Sequence, residues 1–215
     1  MLRKLLLALS LAMALTACSS QEALPQGPEL VKKSAEAMKA VTSASFSITT
    51  DGTPKIQLKK ADGRLTSTGD ADGTLQISLM NSLQEFSFVI IGDTVHFKAT
   101  TGGYQKVPKQ LLMTGVGYDP STLLDPDKGI SALLGGLGQP TTEAVDGGAY
   151  RVAATFPGKT MGALIPGVTA DINGKLWIDT ASSRLTRIDL PLDGGSVTVT
   201  LSDYDARFTI TPPAG

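Results

Sequence analysis

From Ala44 onward the chain repeatedly sets an apolar residue at every second position, and this pattern restricts the fold more than any other feature. Ala44, Phe46 and Ile48 alternate with small polar residues; Leu75, Ile77 and Leu79 do the same, followed by Phe86, Phe88 and Ile90, then Val95, Phe97 and Ala99. A period of two gives each strand one apolar and one polar face, as in an antiparallel sheet with one side covered and one in water. Asp51-Gly52, Ala61-Asp62-Gly63, Asp70-Ala71-Asp72-Gly73 and Gly92-Asp93 read as turns between successive strands, so a meander is expected. The 23 glycines and 12 prolines among 215 residues supply the turns such a fold needs.

Two departures from this rhythm provide the cover. Leu30, Ser34, Ala37, Met38 and Val41 share a helical face after Pro28, which suits a first turn. Pro108 to Pro140 interrupts the strands, and within it Ile130, Leu133, Leu134 and Leu137 fall on one helical face, with Asp125 as the expected cap and Pro126 in the first turn. Strands resume at Thr141 to Val145 and Ala149 to Phe156. A glycine- and proline-bounded apolar stretch with Met161 and Leu164 follows. The last strands are read at Val168 to Asp179, Leu185 to Leu190 and Ser196 to Tyr204, with a weaker piece near Phe208 and Ile210. About ten strands and two or three helices that do not alternate regularly indicate an α+β fold with an antiparallel sheet.

The first eighteen residues have a different logic. Arg3 and Lys4 precede an apolar run from Leu5 to Leu15, and Leu15-Thr16-Ala17 leads to Cys18, the only cysteine. A basic head, a short apolar run and a small-residue exit describe a secretory leader, too short to cross about 30 Å of hydrocarbon. With Cys at the exit the leader resembles a bacterial lipobox, in which cleavage before Cys18 leaves it as an acylated N-terminus. The expected organisation is a signal peptide at 1–17, a lipidated start and spacer at 18–27, and one domain at 28–215. Of the 19 basic side chains, Arg3 and Lys4 leave with the leader, so 17 face 20 acidic ones, which gives no reason to bind nucleic acid.

Catalytic chemistry is poorly supplied. The one histidine, His96, lies between Val95 and Phe97, so alternation sends it to the opposite, solvated face; one His and one modified Cys make neither a nucleophilic dyad nor a metal set. No Gly-x-Ser-x-Gly pattern occurs, no phosphate-binding loop carries its lysine, and the acidic pairs Asp70/Asp72, Asp125/Asp127 and Asp203/Asp205 stand where turns and caps need them. No enzyme activity and no cofactor are expected. A single tryptophan, Trp177, offers little platform for sugar stacking. The abundant resource is aliphatic surface.

The lipobox, Leu30 to Phe46, Leu124-Asp125-Pro126 with Gly129 and Leu133-Leu134, Ile165-Pro166-Gly167, Leu176-Trp177-Ile178, Arg184 to Ile188 and Val199 to Tyr204 together resemble the actinobacterial LppX/LprAFG lipoprotein family. The resemblance implies a strongly curved antiparallel sheet, a half-barrel, with helices packed in its concave side around an apolar cavity, similar to the LolA/LolB carriers. It implies an acylated lipid or glycolipid as ligand, attachment to the outer face of the cell membrane, facing the cell wall, and, for some members, a membrane lipid exporter as partner. The residues expected to line such a cavity are Phe46, Ile48, Leu75, Ile77, Phe86, Phe88, Val95 and Phe97 from strands, with Ile130, Leu133, Leu137, Met161 and Leu164 from the covers. Plain core packing is the competing expectation for each. A structural or adaptor lipoprotein with a solid interior, binding a protein partner, is the competing function.

Overall fold

The computed structural model describes residues 23–79, 82–111, 119, 122–165 and 168–214. Eleven strands form one open sheet, every neighbouring pair antiparallel: β1 (Ser43–Gly52), β2 (Leu58–Thr66), β3 (Ala71–Leu79), β4 (Ser82–Ile91), β5 (Thr94–Ala99), β6 (Gln105–Pro108), β7 (Gly138–Asp146), β8 (Ala149–Phe156), β9 (Ile172–Asp179), β10 (Leu185–Leu192) and β11 (Gly195–Ser202). The order is β6-β5-β4-β3-β2-β1-β11-β10-β9-β8-β7. Two consecutive meanders thus meet where the first strand pairs with the last. Pro140 sits in β7, an edge strand, where a missing N–H is tolerated.

Three helices are described: α1 (Gly27–Lys39), α2 (Ile130–Gly135) and α3 (Gly158–Leu164). The face of α1 that holds Leu30, Val31, Ser34, Ala35 and Met38 is buried, and its apolar members join one cluster with the strands' apolar residues, α2 and Met161 of α3. The Ser131 hydroxyl donates to the Ala35 carbonyl at 2.9 Å, joining α2 to α1. Gly27 lies so close to Pro140 that a Cβ would come within 2.1 Å of the Pro140 carbonyl oxygen, which fixes the start of α1 against β7.

Several expectations need correcting. Ala61-Asp62-Gly63 is the middle of β2, and Ala71 to Gly73 opens β3; the turn between them is Ser67 to Asp70. Gly63 faces Gly73 across the two strands, and a Cβ on Gly63 would meet the Phe46 ring at 2.9 Å, so glycine serves close approach there. Asp125 does not cap α2, which starts after Gly129; its carboxylate accepts from the Asp127 and Lys128 N–H groups at 2.8 and 3.1 Å in the preceding turn. His96 does lie on the opposite face from Val95, across from Val89 and Lys106, yet it is 6% exposed rather than solvated. Phe208 and Ile210 lie outside any strand.

Candidate functional site

One row of side chains crosses nearly the whole apolar face and shows how that face is used. Following the register from β5 to β8, it runs Ala99, Phe86, Leu75, Ala61, Ile48, Val199, Ile188, Leu176, Val152. From Ala61 to Val152 every member is buried; from Leu75 to Ala99 every member is only half-buried. The sequence period is the same on both sides of Ala61. Cover contributes to the change: α1 packs against α2, β7 and β9. On β3 to β5 the same face is buried at Ala71, Phe88, Ile90 and Val95, so the partly open strip is confined to Leu75, Ile77, Phe86 and Phe97 beside the packed core.

The residues expected to line a cavity divide along this boundary. Phe46, Ile48, Phe88, Val95, Ile130, Leu133 and Met161 belong to the buried cluster. Leu75, Ile77, Phe97 and Leu137 are half-buried against it, and Phe86 is half-buried between Leu75 and Ala99. The Leu164 side chain and Cys18 lie outside the described residues. Sequence reasoning passed over Leu176, Ile178, Leu190, Val197 and Leu201, which are as deeply buried as any chosen residue. Their alternation was legible, but nothing in it says which strands lie under the helices.

The packed half also holds two buried hydroxyls, Ser34 Oγ and Thr142 Oγ1, with no hydrogen-bond partner among the described residues. An unmet buried hydroxyl costs about 1–3 kcal/mol, so this half accepts a local penalty within an otherwise dense interior.

The opposite, polar face carries a groove of about 640 Å³ across β7 to β11, with Thr155, Asn173, Ser196 and Thr198 among its lining residues. Most of its charged side chains are paired: Arg187 holds Asp189 at 2.6 Å and Lys175 holds Glu143 at 2.9 Å. Lys175, with Arg151 beside it, keeps the Glu143 carboxyl below the usual carboxylate range. The Arg187 guanidinium also lies 4.8 Å from the Trp177 ring, leaving that indole little free face.

At one end of the sheet the C-terminal segment is tied back. The Tyr204 hydroxyl donates to the Leu185 carbonyl, Arg184 stacks on the Tyr204 ring at 5.2 Å and pairs with Asp205, and Asp205 accepts from the Thr42 N–H at 2.9 Å. Ser183, Asp203 and Asp205 all have φ between 49° and 59°, a left-handed conformation that non-glycine residues adopt at a cost. Burial raises the Tyr204 phenol pKa well above its ordinary value. Among the described residues no group of three His, Cys, Asp or Glu side chains could hold a metal ion, and no helix is long and apolar enough to cross a membrane.

An open, all-antiparallel sheet whose apolar face is closed on one side by short helices defines an α+β protein built around apolar surface. The chain belongs to the LppX_LprAFG lipoprotein family, whose model matches residues 26–210. It is 30% identical over 210 residues to the lipoarabinomannan carrier protein LprG of Mycolicibacterium smegmatis, covering 91% of this chain and 86% of that one. The putative diacylated glycolipid transporter LprF of Mycobacterium tuberculosis is 27% identical, with 89% and 79% covered. Among solved structures, LprF from Mycobacterium bovis superimposes with a TM-score of 0.76 at 24% identity, over 88% of this chain and 97% of that one. LppX of Mycobacterium tuberculosis gives 0.62 at 21% identity, over 86% and 97%.

Proposed function

We propose that this protein is a membrane-anchored lipoprotein that holds the acyl chains of a lipid or lipoglycan against the apolar face of its sheet and carries them across the cell envelope. The observation that carries the reading is the half-covered strip of Leu75, Ile77, Phe86 and Phe97 continuing from a fully packed core. In this reading the sheet curves around an apolar cavity, the helices lie in its hollow, and the strip is its accessible wall. Relatives named as a lipoarabinomannan carrier and a glycolipid transporter support the ligand class. Acylation at Cys18 supplies the anchor on the outer face of the membrane, and a membrane lipid exporter is a fitting supplier of cargo.

The energetics suit such a role. Shielding one sixteen-carbon chain offsets on the order of 10 kcal/mol, from about 0.8 kcal/mol per methylene. Area and shape then matter more than polar contacts. Native mass spectrometry of the mature chain from its own host, followed by lipid extraction, tests the reading. A bound acyl lipid that is lost in Ile77→Asp, with circular dichroism unchanged, is the expected result. A clean apo mass after exposure to host lipids overturns it and leaves an adaptor role ahead.

A further inference from the structure

The chain exposes six large apolar side chains among the described residues, and four of them gather toward one end of the sheet. Leu79 (38% exposed) and Leu83 (59%) stand where β3 gives way to β4, Tyr104 (37%) stands at the β5–β6 turn, and Leu24 (41%) precedes α1. Strand directions establish the grouping. β1 starts immediately after α1 and runs away from its C-terminus; β3 runs parallel to β1, so Leu79 lies at the far end. α1 runs antiparallel to β1, and its first residue packs on Pro140 near the start of β7, toward that same far end. The chain leading back to Cys18 therefore leaves from the end where Leu79 and Leu83 are exposed.

Leu79 and Leu83 point to opposite faces, since Leu79 follows Leu75 and Ile77 in the period of two while Leu83 pairs with Ser78. A hairpin end that is apolar on both faces cannot be covered by a layer on either one, but it can be covered by immersion. Leu79 also extends the strip of Ile77 and Leu75, so apolar surface is continuous from the hairpin end onto the apolar face. Eight residues lie between Cys18 and Gly27, nine Cα steps that reach about 30 Å at full extension. A lipid on Cys18 thus holds this end of the sheet close to the bilayer.

We propose that Leu79 and Leu83 dip into the surface of the bilayer that anchors Cys18, so that acyl chains pass from the membrane onto the Ile77–Leu75 strip without crossing water. The proposal rests on the carrier reading for its purpose, but the membrane contact stands by itself.

Acylated full-length protein in vesicles of equal parts phosphatidylethanolamine and phosphatidylglycerol provides the test. With Cys18 acylated, a new cysteine is the only free thiol. A nitrobenzoxadiazole label at Leu83→Cys should shift to the blue and be quenched by spin-labelled lipid; the same label at Thr68→Cys, in the β2–β3 turn at the opposite end, should report water. Water-like emission at both positions overturns the contact. In a second assay, Leu83→Asp, on the face away from the strip, should take up acyl lipid from vesicles about tenfold more slowly, while capture from dilute detergent is unchanged. Equal loss from both sources overturns the portal. A Leu83 label that inserts, in a chain that takes lipid from neither source, supports the contact and removes the carrier reading instead.

Discussion

The two sides of the apolar face differ in packing although they are written in the same code. Ile48, Val199, Ile188 and Leu176 are sealed; Leu75, Phe86 and Ala99, on the same row, are not. The sheet of eleven strands offers more apolar width than the three described helices cover. Here α1 packs on β7 and β9, while Leu75, Ile77, Phe86 and Phe97 are left half-buried.

The comparison can be broken most forcefully at its packed side. Phe156→Ala or Leu176→Ala should cost about 3–5 kcal/mol in urea unfolding, whereas Leu75→Ala or Phe86→Ala should cost about 1 kcal/mol and mainly lower the lipid load. Equal costs on the two sides would mean that the strip is ordinary core. Gly63→Ala tests the boundary: its Cβ would press on the Phe46 ring and on the Asp72 carbonyl, and a loss of about 1–3 kcal/mol by thermal unfolding is expected.

A smaller effect is expected at the C-terminal tie. Tyr204→Phe should lose about 1 kcal/mol near neutral pH by removing the bond to the Leu185 carbonyl. Because burial raises the folded-state phenol pKa above its ordinary value of 10.0, the unfolded chain releases that proton first; stability is held below about pH 10 and declines as the pH rises further. Chemical unfolding at rising alkaline pH should show that decline in the parent chain and a shallower one in Tyr204→Phe. Least of all, Arg64→Ala, which breaks an exposed pair with Asp72 and the stacking on Phe208 at 5.4 Å, should cost well under about 1 kcal/mol and become smaller in high salt.

The strands, most turns and the face of α1 were legible because period and turn chemistry are local. Ala61-Asp62-Gly63 misled because glycine in a strand and glycine in a turn look alike until the Phe46 ring is placed above it. Asp125 misled in a related way: it bonds two N–H groups as a cap would, but in the turn before the helix. His96 followed the alternation to the correct face, while alternation says nothing of what covers that face. The packing of α1 on α2, β7 and β9 depends on contacts between residues about a hundred positions apart, such as Ser131 with Ala35. Residue type alone does not carry such pairings.

The meeting of β1 with β11 also sets an order in time. Residues 45 to 52 find their partners at 195 to 202, so one edge of the first strand must wait until nearly the entire chain is present. A nascent chain lacking its last twenty or so residues would present that edge unpaired, an invitation to wrong partners. Pairings between such distant residues are also slow to form. A polypeptide with this topology should therefore refold slowly even when its native state is stable.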